Sequence, residues 1–373
     1  MKKILFIVTT LKRSGPINQL YQLISNLDGN KLKIEIITLS PEGEHSIKPD
    51  FDPFVENIKC LNFSRYDSMS RVVSSLKKNV ADIDPDLIHT QDLRSDFYSL
   101  FLKMYPCIST VHNYPYGDYA FSFGKKGRLM AFAHLRILAR KNKCVTVSKS
   151  ILQQLGYLSN KKFTFIRNGV DDNFFLPVQA EDKKRLRQEL QLPEDAVVYV
   201  TSAHLNERKD PRTLAKAVSR ANENNYLICL GDGPLLGELE EKFGGERILF
   251  KGYQSNVMKW LHAADAYISA SHMEGLPMGV IEAMACGLPA VLSDIPSHRE
   301  LYDINEQAVA LFETGNASSL QNVLDNELTM DRNEVERRSQ AALSIVRDHL
   351  SARVMAKHYQ DVYEETLSQG ERT

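Results

Sequence analysis

Residues 266–282 read AYISASHMEGLPMGVIE. The apolar run AYISAS (266–271) has the length and composition of a buried strand, and Pro277 suits the first turn of a helix. Glu274 and Gly275 stand in the turn between them. Strand, acidic turn and helix form the local unit of a doubly wound α/β sheet, in which ligands bind at the carboxyl ends of strands. A second acid, Glu282, follows eight residues after the first. Eight helical residues turn about 800° and rise ~12 Å, so the two carboxylates are not neighbours on one face and need separate jobs. A helix starting at Pro277 leaves backbone N–H groups around Gly275, Leu276, Met278 and Gly279 without internal partners, which suits an anion such as phosphate. Glu282, roughly 8 Å farther along by the helical rise, is placed to accept both hydroxyls of a ribose. Glu274 then lies on the other side of the phosphates. The plainer alternative is a helix start with one acid in its favourable first turn and a second on a solvated face.

The same alternation extends over the whole chain. KILFIVT, KIEIITL, DLIHT, CISTVHN, CVTVS and FTFIR read as strands of a first half, separated by helical patterns such as 17–27 and 125–142. After a polar, charge-rich stretch at 177–195 the pattern restarts with AVVYVTSA, YLICLGDG, ILFKGY, AYISAS and AVLSDI. Two α/β domains are expected, over residues 1–175 and 176–349. The charged helical pattern from Asp331 onward predicts a closing helix, about 350–370, that crosses back to the first domain.

At 373 residues and 43% hydrophobic content the chain can bury the cores of two domains. Net charge is −1, but it is unevenly divided. Residues 1–175 hold 25 Lys+Arg against 16 Asp+Glu, or +9, and the remainder holds 21 against 31, or −10. One half is therefore expected to meet something anionic. Cys60, Cys107, Cys144, Cys229 and Cys286 form no CxxC pair, so neither a disulfide framework nor a zinc site is indicated, and a reducing cytoplasm fits. The opening MKKILFIVTT has an apolar core too short for a signal peptide, and no stretch is long enough to span a bilayer.

Each half supplies candidates at strand ends. In FIVTTLKRSGPINQL, Gly15 and Pro16 open a helix where backbone would approach a phosphate; an ordinary turn and cap is the alternative. STVHN ends a strand with His112, placed for a hydroxyl or phosphate contact or simply packed. SAHLNERKDP sets Arg208 and Lys209 after a strand. Two cations there neutralise a diphosphate, and without an anion a basic pair at a helix N-terminus is unfavourable. In LGDGPLLGELE, Gly231 and Gly233 flank a turn where a flat base has access to backbone.

Together these residues resemble a known family. Glu-x7-Glu within SHMEGLPMGVIEAMACGLPAVLSDIPSHRE, preceded by LGDGPL, KGY and AADAYISAS, is similar to the donor-binding half of the family 4 retaining glycosyltransferases. The likeness covers residues 196–300 strongly. It reaches the first half more loosely, through Gly15, TVHN, VSKSI and IRNGVD. It implies the GT-B fold, two Rossmann-like domains facing each other across a cleft, with the acceptor on the first and a nucleoside diphosphate sugar on the second. By resemblance Glu274 contacts the transferred sugar, Glu282 holds the ribose, and Gly275, Leu276, Pro277 and Met278 approach the phosphates. Arg208 and Lys209 bind the diphosphate, and His112 reaches the donor sugar. The arginine often found just after the first strand of the second domain is absent, and His204 stands nearby, which makes Lys209 the safer equivalent. No cofactor beyond the nucleotide sugar and no metal is expected, because fixed cations and helix N–H groups can stabilise the departing phosphate. The expected activity is retaining transfer of a hexosyl or N-acetylhexosaminyl group to a glycan or lipid-linked glycan, by front-face attack with the leaving phosphate as base. A sugar-nucleotide epimerase of the same fold and a non-catalytic partner subunit are the alternatives.

From Gly124 to Lys143 the chain carries seven Lys or Arg and no acid. At 100° per residue Lys125, Arg128, Arg136, Arg140 and Lys143 fall in one helical stripe, with Lys126 beside it and Leu129 and Phe132 interleaved. Such a stripe suits the inner face of an anionic membrane. A helix packed on the sheet through Met130, Ile137 and Leu138 with a solvated basic edge explains it equally. Nucleic acid is not expected, since the second half is acidic and no binding motif accompanies the charge.

Overall fold

The computed structural model describes residues 1–156, 162–327 and 332–370. These form two compact units, Met1–Gly169 with Ala352–Thr373, and Val170–Ser351. Asp331, the first residue of the closing helical pattern, lies outside the described residues.

The first unit is a seven-stranded parallel sheet of β1 (Lys2–Val8), β2 (Leu32–Thr38), β3 (Asn57–Cys60), β4 (Leu87–Thr90), β5 (Cys107–Val111), β6 (Lys143–Thr146) and β7 (Phe163–Phe165), in the order β3-β2-β1-β4-β5-β6-β7. Alternate residues of β1 enter different cores, as a strand covered on both faces requires. Ile4, Phe6 and Val8 pack with Leu20 and Leu23 of α1 (Gly15–Ile24) and with Met355 and Tyr359 of α15 (Ala352–Gly370). Leu5 and Ile7 pack with Leu76 and Val80 of α3 (Met69–Ile83). The chain's last helix is thus part of the first unit. Polar bonds add to its docking: the buried His89 ring meets Tyr363 Oη at 2.9 Å and Thr110 Oγ1 at 2.8 Å, and Thr110 Oγ1 meets Tyr359 Oη at 2.8 Å.

The second unit is a six-stranded parallel sheet of β8 (Val197–Ser202), β9 (Asn225–Leu230), β10 (Ile248–Phe250), β11 (Ala266–Ser269), β12 (Ala290–Ser293) and β13 (Val309–Phe312), ordered β10-β9-β8-β11-β12-β13. Its core joins Tyr199, Ile268 and Val291 of the sheet to Leu214 and Val218 of α8 (Pro211–Arg220). In both sheets the order reverses beside the first strand, between β1 and β4 and between β8 and β11. Those reversals are the positions at which doubly wound sheets open a crevice.

The polar stretch 177–195 holds the helix α7 (Ala180–Glu189), anchored by a buried arginine. Arg187 donates to Ala263 O at 3.0 Å, to Glu194 O at 2.8 Å and to Asp265 Oδ2 at 2.5 Å. One expectation needs correction: the basic segment is not one continuous helical stripe. The helix α5 (Pro115–Leu138) breaks at Gly124 (φ 57°, ψ −133°) and stops at Leu138, so Arg140 and Lys143 lie beyond it. Lys143 belongs to β6 and pairs with Glu365 of α15 at 3.0 Å. Lys141 is buried on Asp96, at 3.4 Å from Oδ1.

Candidate active site

The reversal between β8 and β11 brings two loops together. After β8 the chain turns through Asn206, whose side-chain oxygen accepts from the Lys209 amide at 3.1 Å. Asp210 then takes a left-handed conformation (φ 44°) and caps α8, accepting from Thr213 N at 3.2 Å and from Thr213 Oγ1 at 2.6 Å. After β11, His272 N donates to Arg208 O at 2.8 Å, and His272 Nε2 lies 3.3 Å from Asp210 Oδ2. Arg208 and Lys209 are thereby held over the segment that carries Glu274.

Glu274 is buried. Its Oε1 takes both the Lys209 ammonium and the Ser271 hydroxyl, the latter at 2.7 Å, whereas its Oε2 has Arg208 Nη1 at 3.7 Å. Burial alone would raise this carboxyl, but the charges of Lys209 and Arg208 and the bonds from Lys209 and Ser271 outweigh it and hold the group below its ordinary value. Glu274 is therefore an anion whose Oε2 is the less engaged oxygen. Pro277 is the N-cap, with φ −74° and ψ 117°, and α11 runs Met278–Ala285, one residue later than expected. Gly275, Leu276, Pro277 and Met278 are all buried. Val280 N and Ile281 N both donate to Pro277 O, at 3.2 and 3.3 Å, so the amides of Met278 and Gly279 stand ahead of the helical ladder. Glu282 sits inside α11, partly exposed.

Glycine is demanded at Gly231 and Gly233 by the protein's own backbone. A Cβ at Gly231 would stand 2.1 Å from Ala203 O, and one at Gly233 2.3 Å from Leu205 O. The turn therefore packs directly on the loop that leads to Arg208. Gly15, in the first unit, is different: a Cβ there would meet nothing within 4 Å. His112 follows β5, with Nε2 3.3 Å from Gln91 Oε1, and burial pushes its imidazole down to about 4 against the opposing pull of Asp96. At neutral pH it is an uncharged ring.

Ser271, His272, Asn206 and Asp210 were not singled out from the sequence. Serines at 269 and 271 alternate along AYISAS and so face one side, and Asp210 precedes a proline as a helix cap does. Those signals are local and do not reveal that the two loops meet.

Two parallel-sheet units, the second with an anionic carboxylate under a cation pair at its strand reversal, have the architecture of the GT-B glycosyltransferases. Comparison with known proteins gives the family. The family model described as Glycosyltransferase Family 4 matches residues 14–174, and Glycosyl transferases group 1 matches residues 182–343. The chain belongs to the family 4 glycosyltransferases. It is 26% identical over 372 residues to the O-antigen biosynthesis glycosyltransferase WclY of Escherichia coli, covering 97% of this chain and 98% of that protein. It is 27% identical over 330 residues to the UDP-Gal:alpha-D-GlcNAc-diphosphoundecaprenol alpha-1,3-galactosyltransferase of the same organism, covering 82% of each. Among solved structures, Anabaena HepE in complex with UDP shares the fold, with a TM-score of 0.80 at 18% identity over 98% of this chain and 100% of that one.

Proposed function

We propose that this glycosyltransferase moves a hexosyl or N-acetylhexosaminyl group, with retention, from a nucleoside diphosphate sugar to a glycan or lipid-linked glycan during cell-surface polysaccharide synthesis. The observation that carries the reading is Glu274 held as an anion beneath Lys209 and Arg208 at the β8/β11 reversal. Breaking the bond from sugar to phosphate develops negative charge on the diphosphate and positive charge at the sugar carbon. Lys209, Arg208 and the first amides of α11 stabilise the former, and they do so without a metal. Glu274 Oε2 accepts a hydroxyl of the transferred sugar, and Glu282 accepts the ribose hydroxyls. Gly15 leaves room for a phosphate, Gly231 and Gly233 face the base, and the uncharged His112 contacts the donor sugar. Among the described residues the charges acting on Glu274 are the cations Lys209 and Arg208, with no second carboxylate of the kind a covalent double displacement uses, which supports front-face attack with the departing phosphate as base. The named activities of the two E. coli relatives support a glycan or diphospholipid-linked acceptor.

A cytoplasmic protein bound at the inner membrane face completes this reading. Lys125, Lys126, Arg128 and Arg136 are exposed along α5, together with Phe121, Phe123, Leu129 and Phe132. Among the described residues no helix is long and apolar enough to cross a membrane.

The test is a thermal-shift panel of UDP-, GDP-, ADP- and dTDP-sugars, followed by transfer assays on glycan and polyprenyl-diphosphate-linked acceptors. One donor class should raise the Tm and be consumed only with acceptor present, giving a product of unchanged anomeric configuration. Interconversion of the free nucleotide sugar without acceptor, or inversion, would overturn the reading.

A further inference from the structure

Behind Glu274 and its Ser271 contact runs a line of buried polar groups. Ser271 Oγ donates to Glu274 Oε1 at 2.7 Å, Ser293 Oγ donates to Ser271 O at 2.6 Å, and His298 Nδ1 lies 2.8 Å from Ser293 O. Ser269 Oγ adds a contact to Ser271 Oγ at 3.2 Å. The members come from three places, the ends of β11 and β12 and the first turn of α12 (Pro296–Ile304). Ser271, Ser293 and His298 are completely buried.

The hydrogen-bond polarities along this line are fixed by chemistry. A carbonyl oxygen only accepts, so His298 Nδ1 carries the hydrogen and Nε2 is a bare lone pair. That second nitrogen is buried and, among the described residues, has no hydrogen-bond partner. A leucine would fill a buried site without stranding a polar atom; what the imidazole supplies in exchange is the Nδ1–H on the Ser293 carbonyl. Burial also disfavours its charged form, lowering it to about 4 even though Glu274 favours the cation, so the ring stays neutral and its tautomer stays fixed through the working pH range.

We propose that His298 is a positioning residue for Glu274, acting through Ser293 and Ser271 to keep the Ser271 hydroxyl aimed at Oε1 and so leave Oε2 turned to substrate. The proposal rests on Glu274 being the sugar-contacting acid, but its test does not need turnover. Charged or titratable groups bearing on Glu274 and this ring are Lys209 and Arg208 from the loop before α8, and Asp294 beside β12. None of them is changed by the variants below.

The experiment is a pH titration of the full-length protein labelled with carbon-13 at glutamate Cδ, the Glu274 signal being the one lost in Glu274→Gln. In wild type it should titrate below the ordinary glutamate range. In His298→Leu it should move up by at least half a pH unit, because the Ser271 bond that favours the anion is loosened. His298→Asn, whose amide N–H can stand near Nδ1, should restore the wild-type midpoint, whereas His298→Gln, which mimics Nε2, should not. If His298→Leu fails to fold, Ser293→Ala cuts the line at its middle and should give the same upward move. An unchanged midpoint in the folded cut variant, or rescue by Gln rather than Asn, would overturn the proposal. Full transfer activity in Glu274→Gln would instead sink the site assignment and leave the titration result standing.

Discussion

Lys209 Nζ and Ser271 Oγ share one oxygen of Glu274, and among the described residues the other oxygen has the Arg208 guanidinium alone, at 3.7 Å. This asymmetry separates the two acids of the Glu-x7-Glu spacing. Glu274 is ion-paired, buried and attached to the loop ahead of α11, while Glu282 lies partly exposed within the helix. Glu274→Ala should therefore lower kcat far more than it weakens donor binding, and Glu282→Ala should do the reverse. Calorimetric donor affinity and steady-state transfer, measured on both variants, check the division. Normal affinity and normal turnover in both would refute it.

Lys209→Ala removes the closer of the two cations and leaves Glu274 with Arg208 alone. Transfer should slow at least tenfold, equivalent to ~1.4 kcal/mol of transition-state stabilisation. Because the Lys209 charge and bond help to depress the Glu274 carboxyl, the acid limb of the rate profile should also move to higher pH. EDTA should leave the wild type active. Loss of activity in EDTA that a divalent ion restores would replace the metal-free account.

Buried neutral imidazoles give the fold an acid sensitivity whose sign is fixed. Burial lowers His89 from an ordinary 6.5 to about 3, and His298 to about 4. The unfolded chain therefore binds protons at these sites that the native state refuses. Stability from this source is complete above pH 6.5 and declines as pH falls toward 4 and below. Urea midpoints measured between pH 7.5 and 4.5 should drop, and His89→Gln should flatten part of that slope if the variant folds. A midpoint that rises on acidification over this range would contradict the assignment.

Arg187 tests how α7 is held within the second unit. Its guanidinium bonds three backbone carbonyls, those of Ala263, Glu194 and Ala196, and Asp265 across a buried site, and Asp265 Oδ2 also accepts from Val198 N at 2.7 Å. Arg187→Ala strands that carboxylate and should cost about 3–5 kcal/mol, the range for breaking a buried pair from one side. The denaturant midpoint of the second unit's transition is the measurement, and an unchanged midpoint would mean that Lys183, 2.7 Å from Asp265 Oδ1, suffices.

Eleven of the thirteen strands were legible because parallel strands covered on both faces leave continuous apolar runs such as ILFIV and VVYV. The two that were not, β3 and β13, are edge strands of four residues. NIKC in β3 is half polar and mostly uncovered, and VALF in β13 follows a polar helix end, so neither stands out from its flanks. In the site, Glu274, Lys209 and Arg208 could be read from strand-end position and charge. Ser271, Asp210 and His298 could not, because a serine or a buried histidine acquires its role from contacts between segments that are distant in sequence. The helix α7 was obscured by its composition: AEDKKRLRQE has no apolar stripe, and it is held by a buried arginine instead of a hydrophobic face.

The basic segment of α5 gives the last prediction. Lys125, Lys126, Arg128 and Arg136 are exposed beside Leu129, 72% exposed, and Phe132, 52% exposed, a combination of cations and apolar side chains that water alone does not favour. Each such cation near an anionic surface contributes about 1 kcal/mol, so four of them should suffice for reversible binding without a spanning helix. Lys143 is left out because Glu365 already holds it. Replacing Lys125, Lys126, Arg128 and Arg136 by Gln should abolish co-sedimentation with phosphatidylglycerol vesicles and leave donor affinity unchanged. Wild-type binding should fall steeply with added salt, as screening over ~8 Å at physiological ionic strength requires. Leu129→Ser with Phe132→Ser should weaken the part of the binding that salt leaves behind. Equal recovery on neutral and anionic vesicles, or none on either, would assign the segment to a solvated helix edge and point to a soluble acceptor.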